Sequence, residues 1–244
     1  MVKYSSIRVE IVESMGSDLT VVNAARVSFA KESTEITERD RDLIRMLADG
    51  LTSHEMGVYS NNLKHCDNED CMREFKREPQ HFTPFAHPHI SIRMTIPIFL
   101  ARQLVKHQVG GVWSEESRRY IDSDPEFWKP RSWRRRAASN KQGSGRDMLY
   151  QSWPATQLEI ATKSSLEIYR ALRREGVCPE QARIVLPLNT MSNVYWTGSL
   201  YFFSRVYNNR IGAGAQKEAR EFARALGAAI EPLFPISWAA LTGG

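Results

Sequence analysis

One segment, Arg102-Gln-Leu-Val-Lys106-His107-Gln108-Val-Gly-Gly-Val-Trp-Ser-Glu115-Glu116-Ser117-Arg118-Arg119-Tyr120, gathers cations, carboxylates, a hydroxyl and an imidazole in a short stretch of chain. That mixture suits an anionic ligand. Arginines bind phosphate through paired, charge-assisted hydrogen bonds of about 1.5–3 kcal/mol each, and a lysine such as Lys106 adds a point charge. Ser117 follows two carboxylates, which raises the question of a serine nucleophile. Such a hydroxyl needs an aligned base and an oxyanion site. Nothing in this chain resembles a nucleophile elbow, so Ser117 reads as a hydrogen-bond donor to phosphate. Cys66, Cys71 and Cys178 lie away from the segment, and none adjoins a pattern that would activate a thiol.

The elements around the segment must hold it in place. Ile90, Ile92, Met94 and Ile96 alternate as a strand does, leading directly to a helix that Pro97 opens. Ile98, Ala101, Leu104 and Val105 repeat at helical spacing, which puts Gln103 and Lys106 three apart on one face and His107 four after Gln103. Gly110-Gly111 then lets the backbone turn and approach a ligand closely, and a charged exit loop follows.

At 244 residues the chain is long enough to bury most of its apolar surface, and one large domain is the favoured reading over two small ones. No apolar run approaches the roughly 20 residues that span a bilayer, and the N-terminus alternates like a strand rather than a signal peptide. A cytoplasmic protein without membrane partners is the expectation, and three cysteines are too few for a disulfide scaffold. The net charge of +5 fits anionic ligands without naming one. Much of it sits in Lys129-Pro-Arg131-Ser-Trp133-Arg134-Arg135-Arg136, which reads first as a surface loop and second as a stacking surface for single-stranded nucleic acid. His54, His65, Cys66 and Cys71 raise a metal site, but their spacing is not a standard ligand set.

Elsewhere, Ile7, Val9 and Ile11 form a strand face, and Leu19 to Phe29 is an apolar-rich helix. Thr37 is an N-cap for a helix over Arg39 to Ala48 that Gly50 closes. Ser53 to Glu78 is polar and poorly periodic. Tyr150 to Arg174 is a long helix ended by Gly176, Pro179 opens another, Arg183 leads into a strand-like apolar run, and Ala213 to Ile230 is helical again. Without strand–helix alternation, the expected fold class is α+β: an antiparallel or mixed central sheet flanked by helices in a single domain, 1–244, with a mobile basic insertion at about 124–151.

The order of residues in the charged segment resembles the signature of the flavin-dependent thymidylate synthases, an Arg-His-Arg triplet followed by Ser, then Asn-Glu-x-Ser-x-Arg-Tyr. Ser114 to Tyr120 matches the second half with Ser in place of Asn. Lys106-His107-Gln108 stands where the triplet does, with one extra residue before Glu115. Four further segments carry the resemblance, the first three being Ala25-Arg26-Val27-Ser28-Phe29; His81-Phe-Thr83-Pro84-Phe85-Ala86-His87; and Ala182-Arg183-Ile-Val-Leu-Pro187. The last is Trp196 to Arg210, leading to Ala215-Gln216-Lys-Glu218. The stretch from Asp124 to Gln151 has no counterpart.

The resemblance implies conversion of dUMP to dTMP with 5,10-methylenetetrahydrofolate as one-carbon donor and NADPH as reductant through bound FAD, on a homotetramer with interfacial active sites. It assigns dUMP to Gln103, Lys106, Glu115, Glu116, Ser117, Arg118, Arg119, Arg183 and Arg210, with Arg210 catalytic on the pyrimidine. It assigns FAD to Ser28, His81, Thr83, Lys106, His107, Gln108 and Glu115, and to Ser199, Tyr201 and Arg205 along the helix that leads to Arg210. For His81 the lesser alternative is a buried, hydrogen-bonded histidine. Without an enzyme nucleophile, bond formation on the unreactive uracil ring needs a hydride carrier, which flavin is. No Gly-x-Gly-x-x-Gly element occurs, which argues against a Rossmann flavoprotein.

Overall fold

The computed structural model describes residues 1–50, 81–138 and 143–243. The polar stretch Ser53–Glu78, and with it His54, His65, Cys66 and Cys71, lies outside the described residues.

Described elements run in the order β1 (Arg8–Met15), α1 (Asp18–Arg26), α2 (Glu38–Asp49), α3 (Thr83–Ala86), β2 (His89–Pro97), α4 (Ile98–Leu104) and β3 (Gly111–Glu115). There follow β4 (Arg134–Arg136), β5 (Ser144–Asp147), α5 (Ser152–Arg174), α6 (Pro179–Ala182), β6 (Met191–Ser199), α7 (Leu200–Ile211), α8 (Lys217–Ile230) and α9 (Pro235–Thr242). Four strands form one sheet in the order β1-β2-β6-β3, and β4 pairs antiparallel with β5 in a second sheet. The class is therefore mixed α+β. Among the described residues no helix is long and apolar enough to cross a membrane.

Two compact units divide the chain. The first comprises Met1–Glu10, Ile92–Trp196 and Asn209–Ala225, and the second Ile11–Ser91, Thr197–Asn208 and Leu226–Gly244. In the first, Phe127, Leu166, Tyr169 and Ala182 form a buried cluster, with Val2, Tyr4 and Leu172 packed against it. Trp196 of β6 is fully buried, with its ring 5.1 Å edge-on from Trp113 of β3 and 6.5 Å from Phe222 of α8. In the second unit, α2 is closed at both ends. Thr37 and Asp40 make a reciprocal capping box, and Gly50 takes φ +69, a left-handed cap that a Cβ would disfavour. The buried Asp40 also pairs with Arg26 of α1 at 2.5 Å. Burial pushes the Asp40 carboxyl up, but the Thr37 hydrogen bonds and Arg26 together hold it below the usual range.

The elements differ from the sequence expectation in five places. Alternation in β2 holds, with Ile90, Ile92, Met94 and Ile96 all buried, but α4 ends at Leu104. The amide of His107 turns back to the Leu104 carbonyl at 3.0 Å, tightening the last turn, so Lys106 and His107 lie beyond the helix rather than on its face. Gly110, at φ +87, reverses the chain, and the charged exit loop begins as a strand, β3. The apolar run after Arg183 is a 3-10 turn, Arg183–Val185, not a strand. Ser199 closes β6 and so precedes the helix that bears Tyr201 and Arg205.

The fifth difference concerns the basic stretch. Phe127 is fully buried and exchanges backbone hydrogen bonds with Lys3 and Ser5 at 2.9 and 2.8 Å, while the Trp128 amide reaches the Asn189 carbonyl at 2.7 Å. Beyond it, β4 and β5 form a hairpin, and Gln151 clamps its base through Trp133 N–H at 2.6 Å and the Trp133 carbonyl at 3.0 Å. The described part of the stretch is thus hydrogen-bonded structure where a bare loop was expected.

Candidate active site

In the first unit, α4 and the turn after it meet the last turn of α7. Arg210 Nε–H donates to His107 Nε2 at 3.0 Å, and one Nη2–H reaches the Gln103 carbonyl at 3.4 Å. All three residues are half-buried. Burial pushes the Arg210 pKa down, because the cation has lost water; a guanidinium remains charged all the same. Gln103 Oε1 is buried and accepts no hydrogen bond among the described residues. The cluster therefore presents a partly desolvated cation beside an unspent acceptor. Lys106 and Gln108 are exposed on either side of His107.

The segment after β3 is fastened to β6. Glu115 accepts from Ser192 Oγ at 2.9 Å through Oε1 and from Trp113 Nε1 at 3.3 Å through Oε2. Glu116 binds β6 twice, through its amide to the Asn193 carbonyl at 2.8 Å and through Oε2 from Asn193 Nδ2 at 2.5 Å. Arg118 completes this bracket, 3.6 Å from Glu116 Oε1 and donating to the Ser123 carbonyl at 2.5 Å. Glu116 and Arg118 line a cavity of about 620 Å3 with Lys3, Arg8, Asp124 and Asn193. Ser117 and Arg119 are not among its lining. Ser117 Oγ accepts the Arg119 amide at 3.4 Å, and the exposed Arg119 guanidinium rests 4.9 Å over the Tyr120 ring and donates to its hydroxyl. Arg183, also exposed, bonds its own turn at the Glu180 carbonyl, 3.3 Å away. Among the described residues neither Arg119 nor Arg183 is hydrogen-bonded to the Arg210 cluster.

The remaining residues assigned to flavin lie in the second unit. Phe82, between His81 and Thr83, stacks on Tyr201 of α7 with centroids 4.9 Å apart and planes at 21°, and Arg205 stands 5.8 Å over the Tyr201 ring. Segments far apart in sequence are thereby joined at one aromatic face. His81, Thr83, Arg205 and Ser28 are exposed, so His81 is not the buried histidine that its type alone allows. Ser199 is buried and accepts the Phe202 amide at 3.1 Å, the work of a helix N-cap.

Two features escaped sequence reasoning. Ser192 and Asn193 hold the two glutamates, and nothing local marks them. Arg134, in the basic run, is half-buried against the buried Glu218 of α8, with Nη2 2.8 and 3.0 Å from the two carboxylate oxygens, while Gln216 donates to the same carboxylate at 2.9 Å. Burial pushes the Glu218 carboxyl up, but these hydrogen bonds outweigh it and leave the pKa below the usual range.

A family model described as thymidylate synthase complementing protein matches residues 10–236. A flavin-dependent thymidylate synthase of Thermus thermophilus is 32% identical over 232 residues, which cover 95% of this chain and 74% of the relative. The chain belongs to the flavin-dependent thymidylate synthase family. It is accordingly an enzyme of methyltransferase class. The family's enzyme from Kosmotoga olearia is 30% identical over 234 residues, covering 95% of this chain and 88% of that one. In fold, the chain is similar to a UMP/dUMP methylase, PolB, from Streptomyces cacaoi. Bound with 5-Br dUMP, that structure superposes with a TM-score of 0.78 at 27% identity, covering 100% of this chain and 97% of the other. With 5-Br UMP the TM-score is 0.75 at 26% identity, covering 99% and 96%.

Proposed function

We propose that this family member catalyses the reductive methylation of dUMP to dTMP, taking the carbon from 5,10-methylenetetrahydrofolate and the electrons from NADPH through FAD, in the cytoplasm. The observation that carries the reading is the Gln103–His107–Arg210 cluster, built from two of the family's separated motifs. The buried, unspent Gln103 Oε1 beside a desolvated cation suits a pyrimidine, whose ring N–H and carbonyl oxygens need one acceptor and one positive donor. Arg210 stabilises negative charge as it develops on that ring, the preorganised role that oxyanion donors play.

For FAD, the Phe82–Tyr201 stack with Arg205 over it offers a flat aromatic surface and a cation, which fit a planar ring system carrying a diphosphate. We assign His81, Thr83, Tyr201, Arg205 and Ser28 to holding it, with Lys106, His107 and Gln108. When bound, FAD supplies the hydride-carrying chemistry that the side chains lack. Ser199 is spent as a helix cap, and it acts by placing the first turn that bears Tyr201.

Glu115, Ser117, Arg119 and Arg183 bind the nucleotide in this reading, with Ser117 donating to phosphate. Glu116 and Arg118 bracket the loop against β6 and so position Ser117 and Arg119. Arg119 and Arg183 are exposed and, among the described residues, held only by their own neighbourhoods, which supports a homotetramer in which they complete a site in another copy. A second reading takes UMP as substrate, favoured by the likeness to a methylase solved with both nucleotide analogues. Purified protein supplied with FAD, NADPH and methylenetetrahydrofolate, and with either nucleotide, decides between them by mass spectrometry of the product. Methylated dUMP formed faster than methylated UMP is expected; the reverse order establishes the second reading, and methylation of neither refutes both.

A further inference from the structure

The resemblance places His107 with the flavin and Arg210 with the pyrimidine, yet the two side chains are hydrogen-bonded to each other. We infer that His107 is a positioning residue for Arg210, its neutral imidazole accepting the Nε–H and thereby fixing the plane of the guanidinium. This role for His107 rests on the functional reading that Arg210 acts on the pyrimidine.

Arginine has five N–H donors in one rigid plane and no acceptor. Two of them are spent here, Nε–H on His107 Nε2 at 3.0 Å and one Nη2–H on the Gln103 carbonyl at 3.4 Å. Two fixed points on a planar group set its orientation, and among the described residues no acceptor takes the other three N–H bonds, which are left to face a substrate. His107 is well placed to serve as a fixed point. Its own amide is tied to the Leu104 carbonyl at 3.0 Å, so its backbone is anchored to the end of α4. Arg210, by contrast, is a long side chain on the last turn of α7, with much rotamer freedom to lose.

The bond also dictates a protonation state. A ring nitrogen that accepts carries no proton, so the proton of the neutral ring sits on Nδ1. An imidazolium could not accept at Nε2 and would set a second cation against Arg210. Because Arg210 is half-buried, the direction of its charge matters more than it would in water. The inference extends the family assignment: one imidazole couples the flavin side of the site to the cation that faces the nucleotide.

Three measurements test this. In protein labelled with 15N at histidine, the ring shifts of His107 should show the Nδ1–H tautomer near neutral pH; an Nε2–H tautomer overturns the proposal. In the FAD-loaded enzyme, H107L should lower kcat per bound flavin about 10- to 100-fold, the loss of one hydrogen bond to a charged group. H107Q, whose Oε1 offers an acceptor near the place of Nε2, should recover most of that rate. If H107L merely loses flavin and its turnover per bound flavin is unchanged, or if H107Q is as slow as H107L at equal flavin content, positioning is refuted. In flavin-free protein, H107L should bind dUMP more weakly than H107Q; equal affinities count against the proposal. A wild-type protein that methylates neither nucleotide fails the functional reading instead, and the tautomer and the two dUMP affinities then decide the positioning role by themselves.

Discussion

Replacing Arg134 with methionine removes the only cation that, among the described residues, is bonded to the 4%-exposed carboxylate of Glu218. Arg134 Nη2 reaches both oxygens of Glu218, at 2.8 and 3.0 Å, and what remains after substitution is neutral, a hydrogen bond from Gln216 at 2.9 Å and one from the backbone amide of Glu218 itself. Taking one partner from a buried pair costs about 3–5 kcal/mol, because the other charge is left uncompensated. At about 2–4 °C per kcal/mol for a chain of this size, melting should fall by about 6–20 °C. The pH dependence carries a sign. In the wild type the Glu218 pKa lies below its unfolded value of 4.5, so the pair contributes stability above that value and loses it as pH falls through the folded pKa. In R134M burial, the largest influence on this carboxyl, is opposed by neutral hydrogen bonds alone, so the folded pKa rises above the unfolded one and the penalty relaxes as pH falls through the raised value. Melts from pH 8 down to about 4.5 should therefore show a deficit that is widest near neutrality and narrows in acid. The R134M/E218Q double variant should regain much of the loss and its pH dependence should flatten. A deficit under about 1 kcal/mol that does not change with pH would mean that the pair behaves as a surface ion pair, and would refute the reasoning.

Ser117→Ala should raise the dUMP concentration needed for half-maximal rate more than it lowers the maximal rate; total loss of turnover at saturating dUMP would point to a nucleophile instead. Lys106→Arg with Gln108→Arg restores the usual triplet at two exposed positions and should leave FAD content unchanged, as read by absorbance, whereas expulsion of FAD would show a site built on a different plan. Asp18→Ala orphans the amides of Ile236 and Ser237, which its buried carboxylate accepts at 3.0 and 2.9 Å. The cost should be about 1–3 kcal/mol, with α9 amides losing hydrogen-exchange protection first; unchanged protection there would sink the assignment.

What could be read in advance follows the range of the interactions. α2 is written locally, in the Thr37 box and Gly50, and its ends fall where those residues put them. β2 and the long α5 have uninterrupted periodicity, and both are present. β6 was missed because its burial mixes Met191, Val194 and Trp196 with the polar Ser192 and Ser199. That polar content is what the site uses, since Ser192 and Asn193 receive Glu115 and Glu116. α9 shows little contrast between its faces, so no helical stripe marks it. Arg134 reads as one more charge in a solvated run because its partner lies 84 residues away. The same distance effect hides the meeting of His107 with Arg210, although each residue was singled out by its own motif.

A visible spectrum of the purified protein tests the central claim most directly. The account predicts a yellow protein with the absorbance of oxidised flavin, bleached by NADPH in the absence of oxygen and perturbed in shape when dUMP is added. A protein that stays colourless after incubation with FAD, or a flavin band that ignores both additions, would contradict it.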